Sequence, residues 1–229
     1  MMKVTWLGQA GLMFETGGRT ILVDPYLSDS VAATEPHNRR RVPADERFLQ
    51  VVPDVVVCTH NHGDHADKET LKHYFSRTSA ALCLAPASVW EWVRAFGGLN
   101  NTYVAFNAGS EWTYETVRFR AVCAEHSDPY AIGVILEAEG KRYYVTGDTL
   151  YSERVFSGLP DGPVYAVFLP VNGRGNNMNV TDAARFAARV GAEYAVPVHF
   201  GLFDDLSAEA FVFPGRILPE IYREIVFPG

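Results

Sequence analysis

Three histidines and an aspartate cluster at His60, His62, Asp64 and His65, in the segment Thr59-His60-Asn61-His62-Gly63-Asp64-His65. Neutral imidazoles and carboxylates are ligands for divalent transition metals, and solvated loop histidines do not gather in this density by accident. The spacing carries geometry. An extended backbone puts His60 and His62 on one side, and a helix beginning further on puts His62 and His65 on one face. Gly63 permits the change of direction between them. Such a segment points to two neighbouring cation sites rather than one.

Side chains can converge like this only if the backbone before them is held rigidly. The run at residues 54–58 (DVVVC) is short, apolar and β-branched, as in a strand buried on both faces. Before it, residues 3–7, 12–15 and 19–23 read as strands separated by the turn signals Gly8-Gln9-Ala10-Gly11 and Thr16-Gly17-Gly18, with Asp24-Pro25 closing the third. Residues 28–53 are polar and Arg-rich, with Pro36, Pro43 and Pro53, and read as a long loop of the kind that usually carries function. After the cluster, residues 67–76 and 87–96 read as helices and 81–85 and 103–106 as strands. The second half repeats the theme. Strands are expected at 117–124, 132–138, 142–146, 164–170 and 194–198, the second and third joined by Glu139-Gly140-Lys141. Helices are expected at 148–157, 181–190 with Thr181 as N-cap, and 208–211. Strands followed by strand–helix alternation, twice, imply an α/β fold of two sheets packed face to face with helices outside, in one domain spanning residues 1–229.

Three further residues of metal-ligating type stand at strand ends: His126, Asp148 in Thr146-Gly147-Asp148-Thr149, and His199. Each alone has an ordinary reading, as a surface histidine, a helix cap or a half-buried histidine. Together with His-x-His-x-Asp-His, and in this order, they resemble the metallo-β-lactamase superfamily. The resemblance implies a four-layer αβ/βα sandwich of two mixed β-sheets with flanking helices and a site at one edge between the sheets. It implies that His60, His62 and His126 hold one metal, that Asp64, His65 and His199 hold a second, and that Asp148 bridges them. Asp64 and Asp148 then have catalytic roles. Two divalent ions are implied, with Zn²⁺ or Mn²⁺ suited to the donor set and Fe²⁺ tolerated.

The flanking segments Thr5-Trp6-Leu7-Gly8-Gln9-Ala10-Gly11, Asp24-Pro25-Tyr26-Leu27-Ser28-Asp29-Ser30, Asn38-Arg39-Arg40, His126-Ser127-Asp128-Pro129 and Leu169-Pro170-Val171-Asn172-Gly173-Arg174-Gly175 are similar to the branch typified by ascorbate-6-phosphate lactonase. That similarity implies hydrolysis of a small lactone or ester, phosphorylated or not. Substrate contacts are expected from Arg39, Arg40, Asn172 and Arg174, with Arg41, Asn176 and Asn177 as further donors. His37 and His73 match nothing, and His73 is expected on an exposed helix face.

Composition bounds the partners. Twenty basic against 27 acidic residues give a net charge of −7, which argues against a large nucleic-acid partner. No apolar stretch spans a bilayer and no leader pattern stands at the N-terminus. The three cysteines, Cys58, Cys83 and Cys123, sit in apolar runs without a CxxC pair, as expected of a protein in a reducing cytoplasm. A small-molecule substrate is expected, with no nucleic acid or membrane and with self-association left open. The competing readings are a phosphodiesterase acting on a small nucleotide or phosphorylated metabolite, a metal used only as a clamp on the fold, and an iron-dependent redox protein.

Overall fold

Which residues face which way follows from the alternation along the strands. In the computed structural model, which describes residues 2–77, 80–97 and 100–228, the first sheet comprises β1 (Lys3–Gly8), β2 (Gly11–Thr16), β3 (Arg19–Val23), β4 (Val55–Val57), β5 (Leu82–Ala85) and β6 (Thr102–Ala105), hydrogen-bonded in that order. The second comprises β7 (Glu111–Tyr114), β8 (Val117–Cys123), β9 (Ile132–Ala138), β10 (Lys141–Val145), β11 (Val164–Pro170) and β12 (Ala192–Val198), again in chain order across the sheet. Each sheet is mixed. β1 to β3 are antiparallel and β3 to β6 parallel, while β7 to β10 are antiparallel and β10 to β12 parallel.

Val55 and Val57 face the second sheet with Phe14, Phe119 and Phe168, whereas Val56 faces outward with Cys58 and Cys83. Both faces of the central strands are therefore buried, which explains their unbroken apolar runs. The outward face of the first sheet is covered by α2 (Lys68–Phe75) and α3 (Ala87–Val93) through Leu71, Phe75, Val89 and Val93. The outward face of the second is covered by α4 (Glu153–Ser157) and α5 (Val180–Arg189) through Val155, Ala183, Phe186 and Ala187. The expected αβ/βα layering is what the chain forms. Burying each such aliphatic or aromatic side chain contributes about 1.5–3 kcal/mol, so the two outer layers and the shared middle layer all stabilise the fold. Among the described residues no helix is long and apolar enough to cross a membrane.

The local differences from the sequence reading have physical reasons. The loop at 28–53 is not structureless: it contains 3₁₀ turns at Ser30–Ala33 and Pro36–Asn38 and the single-turn helix α1 (Glu46–Leu49), capped by Asp45. The helix expected from 148 begins only at Glu153, because the Leu150 N–H donates to Glu125 and the Thr149 carbonyl accepts from Met178, which removes both from a helical ladder. α5 is capped by Asn179 rather than Thr181, its side chain accepting from the Thr181 and Asp182 N–H groups. Residues 208–211 make a turn closed by Phe211 N–H to the Ala208 carbonyl instead of a helix. β7 was not expected, since its alternation is mostly exposed. His73 is half-buried and its Nε2–H donates to the Leu49 carbonyl.

Candidate metal centre

The carboxyl ends of β4, β8, β10 and β12 open on the same edge of the sandwich, and the seven residues His60, His62, Asp64, His65, His126, Asp148 and His199 converge there. Donor atoms of His60, His62, His126 and Asp148 lie within 4.8 Å of one another, and those of Asp64, His65 and His199 form a second such group. Asp148 touches both: its carboxylate is 3.4 Å from His65 Nε2 and 3.2 Å from His199 Nε2.

Further side chains, some behind the centre and some at its rim, orient the candidate ligands. Asp24 is fully buried after β3, in a left-handed conformation (φ 46°) that aspartate tolerates better than most residues. One carboxylate oxygen accepts from the Thr59 N–H at 2.7 Å; the other accepts from Thr59 Oγ1 at 2.5 Å and His65 Nδ1–H at 2.8 Å. Because Thr59 Oγ1 donates to Asp24, it accepts from His60 Nδ1–H at 3.0 Å. Both imidazoles therefore aim Nε2 inward. His126 Nδ1–H donates to the Asn176 carbonyl at 3.1 Å, again aiming Nε2 inward. His62 is turned the other way, with Nδ1 3.2 Å from His126 Nε2 and Nε2 3.1 Å from Ser127 Oγ. Carboxamides complete the ring: Gln9 donates to Asp64 at 2.8 Å, Asn177 donates to Asp148 at 2.8 Å, and Asn172 lies 3.0 Å from His199 Nδ1. The His199 N–H donates to the Gln9 carbonyl, and both residues have positive φ (61° and 50°). Backbone strain of this kind concentrates at functional sites.

The electrostatics show what the arrangement lacks. Burial, with the other imidazoles around it, holds His60 well below the usual histidine range. Burial also works against charge on His65 and His199, but the carboxylates of Asp148 and Asp64 overcome it, raising His65 well above its ordinary value and His199 to about 9. Burial alone would raise the Asp148 carboxyl, yet His199 and His65 hold it well below the usual carboxylate range. Even so, His60 Nε2, His65 Nε2 and Asp148 Oδ1 are buried without a hydrogen-bond partner. Unsatisfied buried polar atoms cost about 1–3 kcal/mol each, and these belong to the two adjoining donor groups, His60 and Asp148 to the first and His65 to the second. Cations at those groups would satisfy them, so the donor set of imidazoles and carboxylates fits divalent metal.

The centre floors a cleft of about 580 Å³. Its walls include Asn172 and Arg174, together with Val31, Lys68, Phe200 and Phe203. Arg39 and Arg40 do not reach it. Arg39 points to solvent beside Asp29, and Arg40 is spent on the Tyr26 and Val42 carbonyls and the Tyr222 hydroxyl while stacked on the Tyr26 ring. Arg41 pairs with Asp205, and Arg174 with Asp204 at 3.1 Å. The exposed His37 is not in the cleft wall either. Asn176 contributes its backbone carbonyl to His126, and Asn177 its amide to Asp148, rather than free donors. Sequence reasoning singled out neither Gln9 nor Asp24 as part of the site. The signal for Asp24 was an acidic residue at a strand end before proline; for Gln9 it was a polar side chain between two glycines at a tight turn.

Residues 19–200 match the family described as the beta-lactamase superfamily domain. A relative from Geobacillus thermodenitrificans, described as a UPF0173 metal-dependent hydrolase, is 28% identical and aligns over 98% of this chain and 96% of its own. Among solved structures, a possible metal-dependent hydrolase from Veillonella parvula superposes with a TM-score of 0.78 at 19% identity, over 98% of this chain and 99% of the other. An isothiocyanate hydrolase from Delia radicum gut bacteria superposes with a TM-score of 0.76 at 20% identity, over 99% of each chain. At those identities the structural likeness is one of fold.

Proposed function

The chain belongs to the beta-lactamase superfamily, and from that premise we propose that it is a metal-dependent hydrolase with a dinuclear centre acting on a small lactone or ester, phosphorylated or not. The observation that carries this reading is the convergence of buried, unpartnered donor atoms on His60, His65 and Asp148 at the floor of an open cleft. His60, His62 and His126 would hold one cation, Asp64, His65 and His199 the other, and Asp148 would lie between them. Bound there, the pair would polarise the scissile carbonyl and lower the pKa of an attacking water towards neutrality. Asp64, held by Gln9, would orient that water and receive its proton. Asn172 and Asn177 keep His199 and Asp148 in register during turnover. Val31, Phe200 and Phe203 offer the substrate apolar walls.

Arg40 and Arg41 are engaged away from the cleft and Arg174 in its wall is paired with Asp204, which leaves Lys68 as the wall cation able to meet a phosphate. Flanking segments similar to the lactonase branch support a cyclic or open-chain ester. The test is a substrate panel on metal-loaded protein: simple lactones and short esters, a phosphorylated sugar lactone, and a generic phosphodiester. Turnover of a lactone or ester, phosphorylated or not, is expected. Turnover confined to the phosphodiester would overturn this reading.

A further inference from the structure

Asp128 is buried, 4% exposed, and no cation pairs with it among the described residues. A carboxylate in that position is expensive unless hydrogen-bonded, and its bonds run to three separate segments. Oδ2 accepts from the Asn61 N–H at 3.0 Å and from Ser88 Oγ of α3 at 2.6 Å; Oδ1 accepts from the Tyr130 N–H at 2.9 Å. Asn61 lies between His60 and His62, and Asp128 lies two residues after His126. The neighbouring Ser127 reaches His62 Nε2 at 3.1 Å. Two consecutive residues of the loop after β8 therefore grip two consecutive residues of the loop after β4.

The first cation group straddles the two sheets, with His60 and His62 following a strand of one and His126 a strand of the other. We propose that Asp128 and Ser127 are positioning residues that clamp these loops together, Asp128 fixing the backbone at Asn61 and Ser127 fixing the ring of His62 so that its Nδ1 meets His126 Nε2. The clamp is specific to this group. The second group is tied across the sheets elsewhere, by the His199 N–H on the Gln9 carbonyl. The proposal rests on reading the convergent residues as a dinuclear metal centre.

Asp128→Asn keeps the shape but turns one acceptor into a donor, so either the Asn61 or the Tyr130 N–H loses its partner. Ser127→Ala, at an exposed side chain, releases the His62 ring without disturbing the core and provides the same test if Asp128→Asn does not fold. Full-length metal-free protein would be titrated with Co²⁺, reading stoichiometry, affinity and the visible spectrum, beside His126→Ala and His199→Ala as references and His37→Ala as control. In both clamp variants one Co²⁺ is expected to bind about 10–100-fold more weakly, leaving a one-metal spectrum like that of His126→Ala and unlike that of His199→Ala. Wild-type affinity for both ions in the variants, or equal weakening of both, would overturn the clamp. If wild-type protein binds no Co²⁺, the dinuclear reading itself falls, and the clamp with it.

Discussion

At the scale of the residue, the candidate centre is held by side chains outside its two donor groups. Asp24 is the clearest case: one carboxylate sets His65 directly and His60 through Thr59. Partners of this kind typically control 10–100-fold in metal affinity, so Asp24→Ala is expected to weaken metal binding by about that factor, measured by competition with a chromophoric chelator. Protonation gives a second prediction. Without metal, His65 and His199 are held above the ordinary histidine range by Asp148 and Asp64, despite burial. A raised pKa means that the proton is present below it, up to about pH 9 for His199. Metal must displace that proton. Loading at pH 7 should therefore release protons, and apparent affinity should fall as pH is lowered. Calorimetry in buffers of different ionisation enthalpy would measure the release; a signal independent of buffer would contradict it. The ligand types were legible in sequence because histidine and aspartate at successive strand ends have few ordinary reasons to recur. Gln9, Asp24 and Asp128 were not, because their roles arise from contacts 35 to 67 residues away along the chain.

At the scale of the element, the strands that position ligands were readable because both of their faces are buried, which leaves an apolar run in the sequence. β7 shows the converse: an exposed edge strand carries no such run and is fixed by its pairing with β8 and by Tyr114 packed against the core. The stretch from Asp148 to Leu150 looked helical by composition, but its backbone is tied to Glu125 and Met178, and the helix starts only where Ser152 can cap it. The same stretch depends on Gly147. Its φ is 60°, and a Cβ there would sit 2.9 Å from both the Ile132 carbonyl and Thr59 Cβ. Gly147→Ala is expected to destabilise the fold by about 2 kcal/mol, read by urea denaturation, since strain and a backbone clash coincide. It should also weaken metal binding, because Thr59 and Asp148 are the groups it would push apart.

At the scale of the whole molecule, the two sheets share one apolar interior and meet the candidate centre at one edge, so metal binding is expected to stabilise the fold. Each cation held at a thousand times its dissociation constant stabilises by about 4 kcal/mol, so two contribute about 8 kcal/mol. For a chain of this size that corresponds to about 16–32 °C in Tm, so chelation should lower Tm by that much, measured by calorimetry before and after metal is removed. The layering was legible from the order of strands and helices. The substrate side was not, because the Arg-rich segment at 39–41 looked available until folding committed Arg40 to Tyr26 and Tyr222 and Arg41 to Asp205. The most direct test of the dinuclear hydrolase is the rate of hydrolysis of a simple lactone as metal-free protein is titrated with Zn²⁺ or Mn²⁺, run in parallel on His62→Ala. The rate should rise until about two ions are bound per chain and then level off, with His62→Ala at least about 100-fold slower throughout. Equal rates in His62→Ala and wild type, or full activity in the presence of a strong chelator, would contradict it.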